Sequence, residues 1–160
     1  MNKIFKRRLI REKVLQLLYA FEINDDNHEG MKDEILSEIV DKTDFSFANS
    51  LINKVIENKN EIDKLIKSKV DNWDLTRIAL IDRILLRMGI CELLYFPDIP
   101  PKVSINEAIE IAKEYSTSSS GKFLNGILDA VLDDLKKENK LKKTGRGLLD
   151  ESPLKQTPKI

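Results

Sequence analysis

Cysteine and histidine are nearly absent from this chain of 160 residues, since each occurs once, as Cys91 and His28. A single cysteine excludes a disulfide within the chain. The two residues together cannot supply the cysteine and histidine ligands of a zinc site, so no metal is expected. A chain without disulfides suits a reducing compartment, and the cytoplasm is the predicted location.

Helix-breaking residues and long apolar runs are also scarce. The chain contains six glycines and five prolines, and no uncharged apolar run approaches the ~20 residues needed to span a membrane. No signal peptide is expected either, because the N-terminus lacks an apolar core segment. Hydrophobic residues make up 41% and charged residues 34%, a balance typical of a folded helical protein with a core.

Charge is balanced overall but unevenly placed. The chain has 27 basic and 27 acidic residues. Residues 1–13 carry six basic side chains and one acidic one, whereas residues 136–160 carry eight and three. The remaining segment is therefore strongly acidic. We expect the basic N-terminus to suit phosphates and the acidic body to suit a basic protein partner.

Apolar residues recur at helical spacing along most of the chain, which predicts an all-α fold of about seven helices. The expected helices cover about residues 4–23, 32–41, 44–57, 61–69, 75–96, 104–115 and 122–138. The fifth is apolar around most of its circumference and is predicted to be the central helix. Residues 1–138 are expected to form one helical domain, and residues 139–160 a flexible lysine-rich tail.

Three local signals predict where these helices begin or end. Asp71 to Asp74 reads as a turn with Asp74 as an N-cap. The run Pro97 to Pro101 is expected to be non-helical throughout. Ser104 and Glu107 fit the spacing of a capping box, in which each side chain bonds a backbone N–H at the start of a helix.

A basic cluster at the start of the first helix is the first candidate binding element. It comprises Lys6, Arg7, Arg8 and Arg11, with Tyr19 two turns beyond Arg11. Cations that contact phosphates and a ring that stacks on a base are what single-stranded RNA binding requires. The alternative interpretation is an ordinary basic helix end with a half-buried tyrosine.

A second candidate element follows the serine-rich turn of residues 116–120. Lys122, Phe123 and Asn125 stand at the start of the last helix, where backbone N–H groups favour a phosphate. Phe123 lies off the apolar stripe of that helix and is expected to be partly exposed. The alternative is that Phe123 packs against a neighbouring helix and Asn125 only caps a turn.

No set of residues in the sequence predicts catalysis. His28 lies in a polar linker without a nucleophile, and Cys91 lies in an apolar run that indicates a buried position. No phosphate-binding loop or dinucleotide-binding fingerprint is present. We therefore expect a protein that is not an enzyme and has no cofactor.

Several motifs, in this order, resemble the NusB family of bacterial transcription antitermination factors. They are the opening RRLIREKVLQLLYAFE, the central RILLRMGICELLY and the pair INEAIEIAK and KFLNGILD. The resemblance covers roughly residues 6–135. Two departures are Leu9, where the family usually has alanine, and the lysine-rich extension after residue 138.

The resemblance implies two small helical bundles packed together, and a function in transcription. It implies binding to the boxA element of ribosomal RNA leader transcripts together with NusE, a small-subunit ribosomal protein. The pair would nucleate a complex on RNA polymerase that suppresses premature termination. Whether the free protein is a monomer or a homodimer is left open.

The resemblance also assigns roles by position. The RNA-binding positions are Lys6, Arg7, Arg8, Arg11, Tyr19, Lys122, Phe123 and Asn125. Asp82, on the central helix, matches an acidic position near the junction of partner protein and RNA.

Two other interpretations compete with this one. The same module resembles the N-terminal RNA-binding domain of a ribosomal RNA cytosine methyltransferase family, which would make the chain an accessory module. The other alternative is a helical interaction protein that uses its acidic surface and does not bind RNA.

Overall fold

The computed structural model describes residues 3–70 and 74–149, and within these ranges the chain is all-α. Seven α-helices and two short 3-10 helices are present there, with no β-strand in the same ranges. This confirms the predicted fold class. The α-helices are α1 Lys3–Ile23, α2 His28–Ser37, α3 Lys42–Glu57, α4 Lys59–Lys67, α5 Leu80–Tyr95, α6 Pro101–Tyr115 and α7 Ser120–Lys137. The 3-10 helices are Leu75–Arg77 and Gly145–Leu148.

The chain divides into two compact units, one ending at Glu57 and one beginning at Asn58. Unit 1 contains α1, α2 and α3, and its core forms where α1 packs against α3. Val14 and Leu17 of α1 are buried, as are Leu51 and Ile52 of α3. Burial of such side chains stabilises the unit by about 1.5–3 kcal/mol for each.

Unit 2 is built around α5, which contacts α4, α6 and α7. Every residue from Ile84 to Leu93 is buried, which confirms the prediction of a central helix. A Cβ atom on Gly89 would lie 3.1 Å from the side chain of Leu128, so the glycine allows α7 to approach α5 closely. None of the described helices has the length and hydropathy needed to cross a membrane.

The central helix begins later than predicted. Leu75 to Arg77 form a 3-10 turn, capped by Asp74, whose Oδ1 accepts a hydrogen bond from the Thr76 N–H at 3.1 Å. This hydrogen bond lowers the pKa of Asp74 below its ordinary value. Ile78 and Ala79 are extended, and α5 starts at Leu80. The predicted turn at Asp71 to Trp73 lies outside the described residues.

The predicted capping box at Ser104 and Glu107 is wrong. α6 already starts at Pro101, which was expected to be non-helical, so both residues lie inside the helix and are buried. Proline suits the first helical position because its φ is fixed near the helical value and no N–H is required there. The Ser104 hydroxyl instead donates to Glu92 Oε1 at 3.0 Å and joins α6 to α5.

The first part of the predicted tail is held against unit 2. The Lys143 ammonium donates to the carbonyl oxygens of Glu92 and Phe96, at 3.0 and 2.8 Å, where α5 ends. The Thr144 N–H donates to Pro97 O at 2.9 Å. Gly147 is buried, and a Cβ there would lie 1.8 Å from the same oxygen. Residues 150–160 lie outside the described ranges.

Candidate nucleic-acid interface

The basic cluster of α1 meets two carboxylates at the start of α3. Lys6 Nζ lies 3.1 Å from Asp44 Oδ2 and 3.8 Å from Asp41 Oδ2. Arg7 Nε lies 3.6 Å from Asp44 Oδ1. The Asp44 carboxylate, reinforced by the charge of Asp41, raises the pKa of Lys6. Lys6 therefore keeps its positive charge at any physiological pH.

A phenylalanine one turn further along α3 completes this arrangement. The guanidinium carbons of Arg7 and Arg11 lie 4.2 and 5.1 Å from the centroid of the Phe47 ring, within cation–π range. Arg11 is only 3% exposed, so it supports the ring from within unit 1. Arg8 is half-buried, and Tyr19 is 38% exposed on a later turn of α1.

Asp41, Asp44 and Phe47 were not among the site residues predicted from the sequence. Asp41 Oδ1 accepts a hydrogen bond from the Asp44 N–H at 2.9 Å, at the N-terminal end of α3. This bond lowers the pKa of Asp41. The spacing DKTD before an apolar run was the available signal, because an aspartate commonly caps a helix. No sequence pattern indicates that the cap also faces the basic cluster.

The second predicted element lies at the start of α7 and borders a pocket. Lys122 is exposed and Phe123 is half-buried, and both line a pocket of about 470 Å³. The other lining residues are Lys69, Val70, Gly126, Ile127 and Ala130. Lys69 forms an ion pair with Asp134 of α7. Asn125 is exposed and lies outside this lining.

Asp82 lies in the first turn of α5 and is buried. It is 7% exposed, and its Oδ2 accepts a hydrogen bond from the Ser120 hydroxyl at 2.8 Å. The same hydroxyl lies 2.9 Å from the Ser116 hydroxyl and 3.0 Å from that of Thr117. Asp82 thus connects α5 to the first residue of α7, and through the Ser120 hydroxyl to the turn before it. Its predicted contact with a partner protein stays a prediction.

Cys91 and His28, which are not expected to be catalytic, both have local structural surroundings. Cys91 is fully buried in α5. The His28 ring stacks on Phe21 at 4.3 Å, and its Nε2 lies 2.7 Å from Asn24 O. Within residues 3–70 and 74–149, no group of three or more histidine, cysteine, aspartate or glutamate side chains is arranged to hold a metal ion.

The fold and these two surfaces define the class of molecule, a small all-α protein with cationic and aromatic side chains grouped on α1 and α7. The model of the NusB family matches residues 8–133. Transcription antitermination protein NusB of Chloroherpeton thalassium is 48% identical over 149 residues, which cover 92% of this chain and 71% of the relative.

Two solved structures have a similar fold. NusB of T. maritima is 42% identical, with a TM-score of 0.74, covering 80% of this chain and 91% of that chain. A structure of the antitermination factors NusB and NusE in complex with double-stranded RNA is 24% identical, with a TM-score of 0.73, covering 84% of this chain and 99% of that one. The chain belongs to the NusB family, as its motifs predicted.

Proposed function

We propose that this protein is a transcription antitermination factor that binds boxA RNA of ribosomal leader transcripts together with NusE. The observation that carries the proposal is the grouping of cations with aromatic rings on α1 and α3 and again at the start of α7. Membership of the NusB family supports it, since the relative from Chloroherpeton thalassium is named a transcription antitermination protein.

The side chains divide the work of RNA binding by their chemistry. Lys6, Arg7 and Arg8 neutralise phosphates, which raises affinity without specifying sequence. Arg11 acts by packing against the Phe47 ring, because it is almost fully buried. Tyr19 stacks on an unpaired base, since part of its ring is exposed.

The pocket beside Phe123 receives a second unpaired base. Its lining is mostly apolar and includes the Phe123 ring, while Lys122, another lining residue, attracts the phosphate of the same nucleotide by its charge. Asn125 is exposed nearby on α7 and offers an amide to a base edge. The preference for particular RNA bases arises at the Phe123 pocket and at Asn125.

The partner proposed from the family is NusE, within an antitermination complex on RNA polymerase in the cytoplasm. A solved structure with this fold contains NusB and NusE with RNA. The acidic middle of the chain suits a basic ribosomal protein by charge. The protein acts by binding and carries out no reaction of its own.

The test is fluorescence anisotropy of the full chain with labelled boxA RNA from the host's ribosomal leader. A scrambled RNA of the same length and composition is measured at the same salt concentration, each with and without NusE. We expect selective binding of boxA RNA that NusE strengthens. Equal or absent binding of both RNAs in the presence of NusE would contradict the proposal and favour a helical interaction protein that does not bind RNA.

A further inference from the structure

The carboxylate of Asp44 lies between two cations of the basic cluster. Its Oδ2 is 3.1 Å from Lys6 Nζ and its Oδ1 is 3.6 Å from Arg7 Nε. The Asp44 side chain is 8% exposed, whereas that of Lys6 is 47% exposed. One buried group therefore fixes the position of two side chains that extend towards the surface.

The Asp44 carboxylate has a stable place in the fold. It lies in the first turn of α3, where the helix dipole favours negative charge. Phe47, one turn further along α3, is 6% exposed and lies under the Arg7 guanidinium. Arg7 thus contacts both a carboxylate and an aromatic ring.

We propose that Asp44 is a positioning residue of the RNA-binding surface, which orders Lys6 and Arg7 of α1 before RNA phosphates arrive. The inference rests on the proposed function. A lysine or arginine side chain that is mobile in the free protein loses conformational entropy when it binds a phosphate, and this loss weakens binding. A buried carboxylate that already orders the side chain in the free protein reduces the entropy lost on binding. RNA cannot displace Asp44, because its side chain is not accessible.

If charge alone matters, removing the Asp44 carboxylate should strengthen RNA binding, because a negative charge beside a phosphate site is lost. If Asp44 positions the two cations, the same change should weaken RNA binding. The direction of the change in affinity therefore separates the two accounts.

Asp41 provides a matched control for Asp44. Asp41→Asn and Asp44→Asn change the charge equally, and both carboxylates lie within 4 Å of Lys6 Nζ. The Asp41 side chain is 47% exposed, so it can move away from Lys6 without disturbing the core. Asparagine caps helices about as well as aspartate, so Asp41→Asn keeps the N-terminal cap of α3.

The experiment compares full-length wild type, Asp44→Asn and Asp41→Asn by anisotropy with boxA RNA over a range of salt concentrations. Asp44→Asn is expected to weaken binding roughly five- to tenfold and to flatten the salt dependence by about 0.7 for each phosphate left without its cation. Asp41→Asn is expected to bind at least as tightly as wild type. A lower stability alone does not change the salt dependence of the folded protein, so the slope separates positioning from unfolding.

Asp44→Ser is the second variant if Asp44→Asn does not fold at the assay temperature. Serine also removes the carboxylate but has a smaller side chain, so we expect a similar loss of affinity, roughly five- to tenfold. The inference is overturned if the variant that folds, Asp44→Asn or Asp44→Ser, binds RNA as tightly as wild type or more tightly. Failure of the wild type to select boxA RNA would instead overturn the proposed function itself.

Discussion

Phe123 and Leu124 are neighbours on α7 with opposite surroundings. Phe123 is half-buried at the edge of a pocket, whereas Leu124 is fully buried. We expect Phe123→Ala to weaken RNA binding while the melting temperature changes little. Leu124→Ala serves as the control and should lower the free energy of unfolding by about 2–5 kcal/mol, because it leaves a cavity in the core. Thermal denaturation followed by circular dichroism, beside RNA anisotropy, measures both effects. A large drop in stability in Phe123→Ala would place that ring in the core.

The ion pair between Asp63 and Arg87 joins α4 to α5. Arg87 Nε donates to Asp63 Oδ1 at 2.8 Å and Nη2 donates to Oδ2 at 3.2 Å, with Arg87 only 5% exposed. Asp63→Ala leaves a buried cation without this partner and should lower the free energy of unfolding by about 3 kcal/mol. The double variant Asp63→Leu with Arg87→Met should recover part of that stability. Urea denaturation provides the values, and wild-type stability in Asp63→Ala would refute this account.

At the residue scale, the sequence indicated which side chains are charged but not which groups face them. Lys6 and Asp44 are far apart in the chain and meet only because α1 packs on α3. Helical periodicity identifies the apolar face of each helix, but it contains no information on the residues across the interface. For the same reason the burial of Arg11 and Asp82 could not be foreseen.

At the element scale, the helices themselves were predictable because apolar stripes of the correct period are long and clear. Their boundaries were less so, since a capping pattern also occurs inside helices. Ser104 and Glu107 have the spacing of a capping box, yet they lie within α6 and Ser104 bonds to Glu92 of α5. Tertiary packing decided the role of these residues, and the proline at position 101 decided where the helix begins.

Lys143 joins the segment after α7 to the end of α5. We expect the stability that this residue contributes to depend on pH. Burial lowers the pKa of Lys143 from 10.5 to about 8, against the opposing influence of Glu92 and Asp98. Between pH 8 and 10.5 the unfolded chain therefore binds more protons at this site than the folded protein does. Stability contributed by Lys143 must then rise with pH through that window. The neutral amine retains two N–H groups for the carbonyl oxygens of Glu92 and Phe96.

The measurement for Lys143 is the difference in melting temperature between wild type and Lys143→Met from pH 7 to pH 10. We expect wild type to gain on the variant as the pH rises, since titration of the other groups cancels in the difference. Lys142→Met is the control, because the Lys142 side chain is exposed and should give a flat difference. Parallel curves for wild type and Lys143→Met would show that folding does not shift the pKa of Lys143.

At the scale of the whole molecule, the net charge of zero conceals a basic end, an acidic body and a basic end. The charge layout was readable from the sequence because it requires only position along the chain. The structure adds that the basic cluster of α1 is partly neutralised by Asp41 and Asp44 within the same unit. We therefore expect RNA binding to depend on individual cations of α1 and α7 and not on the net charge of the molecule.

The number of cations that contact phosphates can be measured from the salt dependence of RNA binding. With Lys6, Arg7, Arg8 and Lys122 each contacting one phosphate, the logarithm of the affinity for single-stranded RNA should fall against the logarithm of salt concentration with a slope of about −3. Lys122→Ala should reduce that slope by about 0.7, the share of one phosphate. Lys64→Ala is the control: Lys64 lies in unit 2, as Lys122 does, but it pairs with Glu61 and is not a proposed RNA contact. This variant should leave the slope unchanged. A slope near zero in the wild type would mean that these cations do not contact phosphates, whereas equal slopes in the two variants would exclude Lys122 alone.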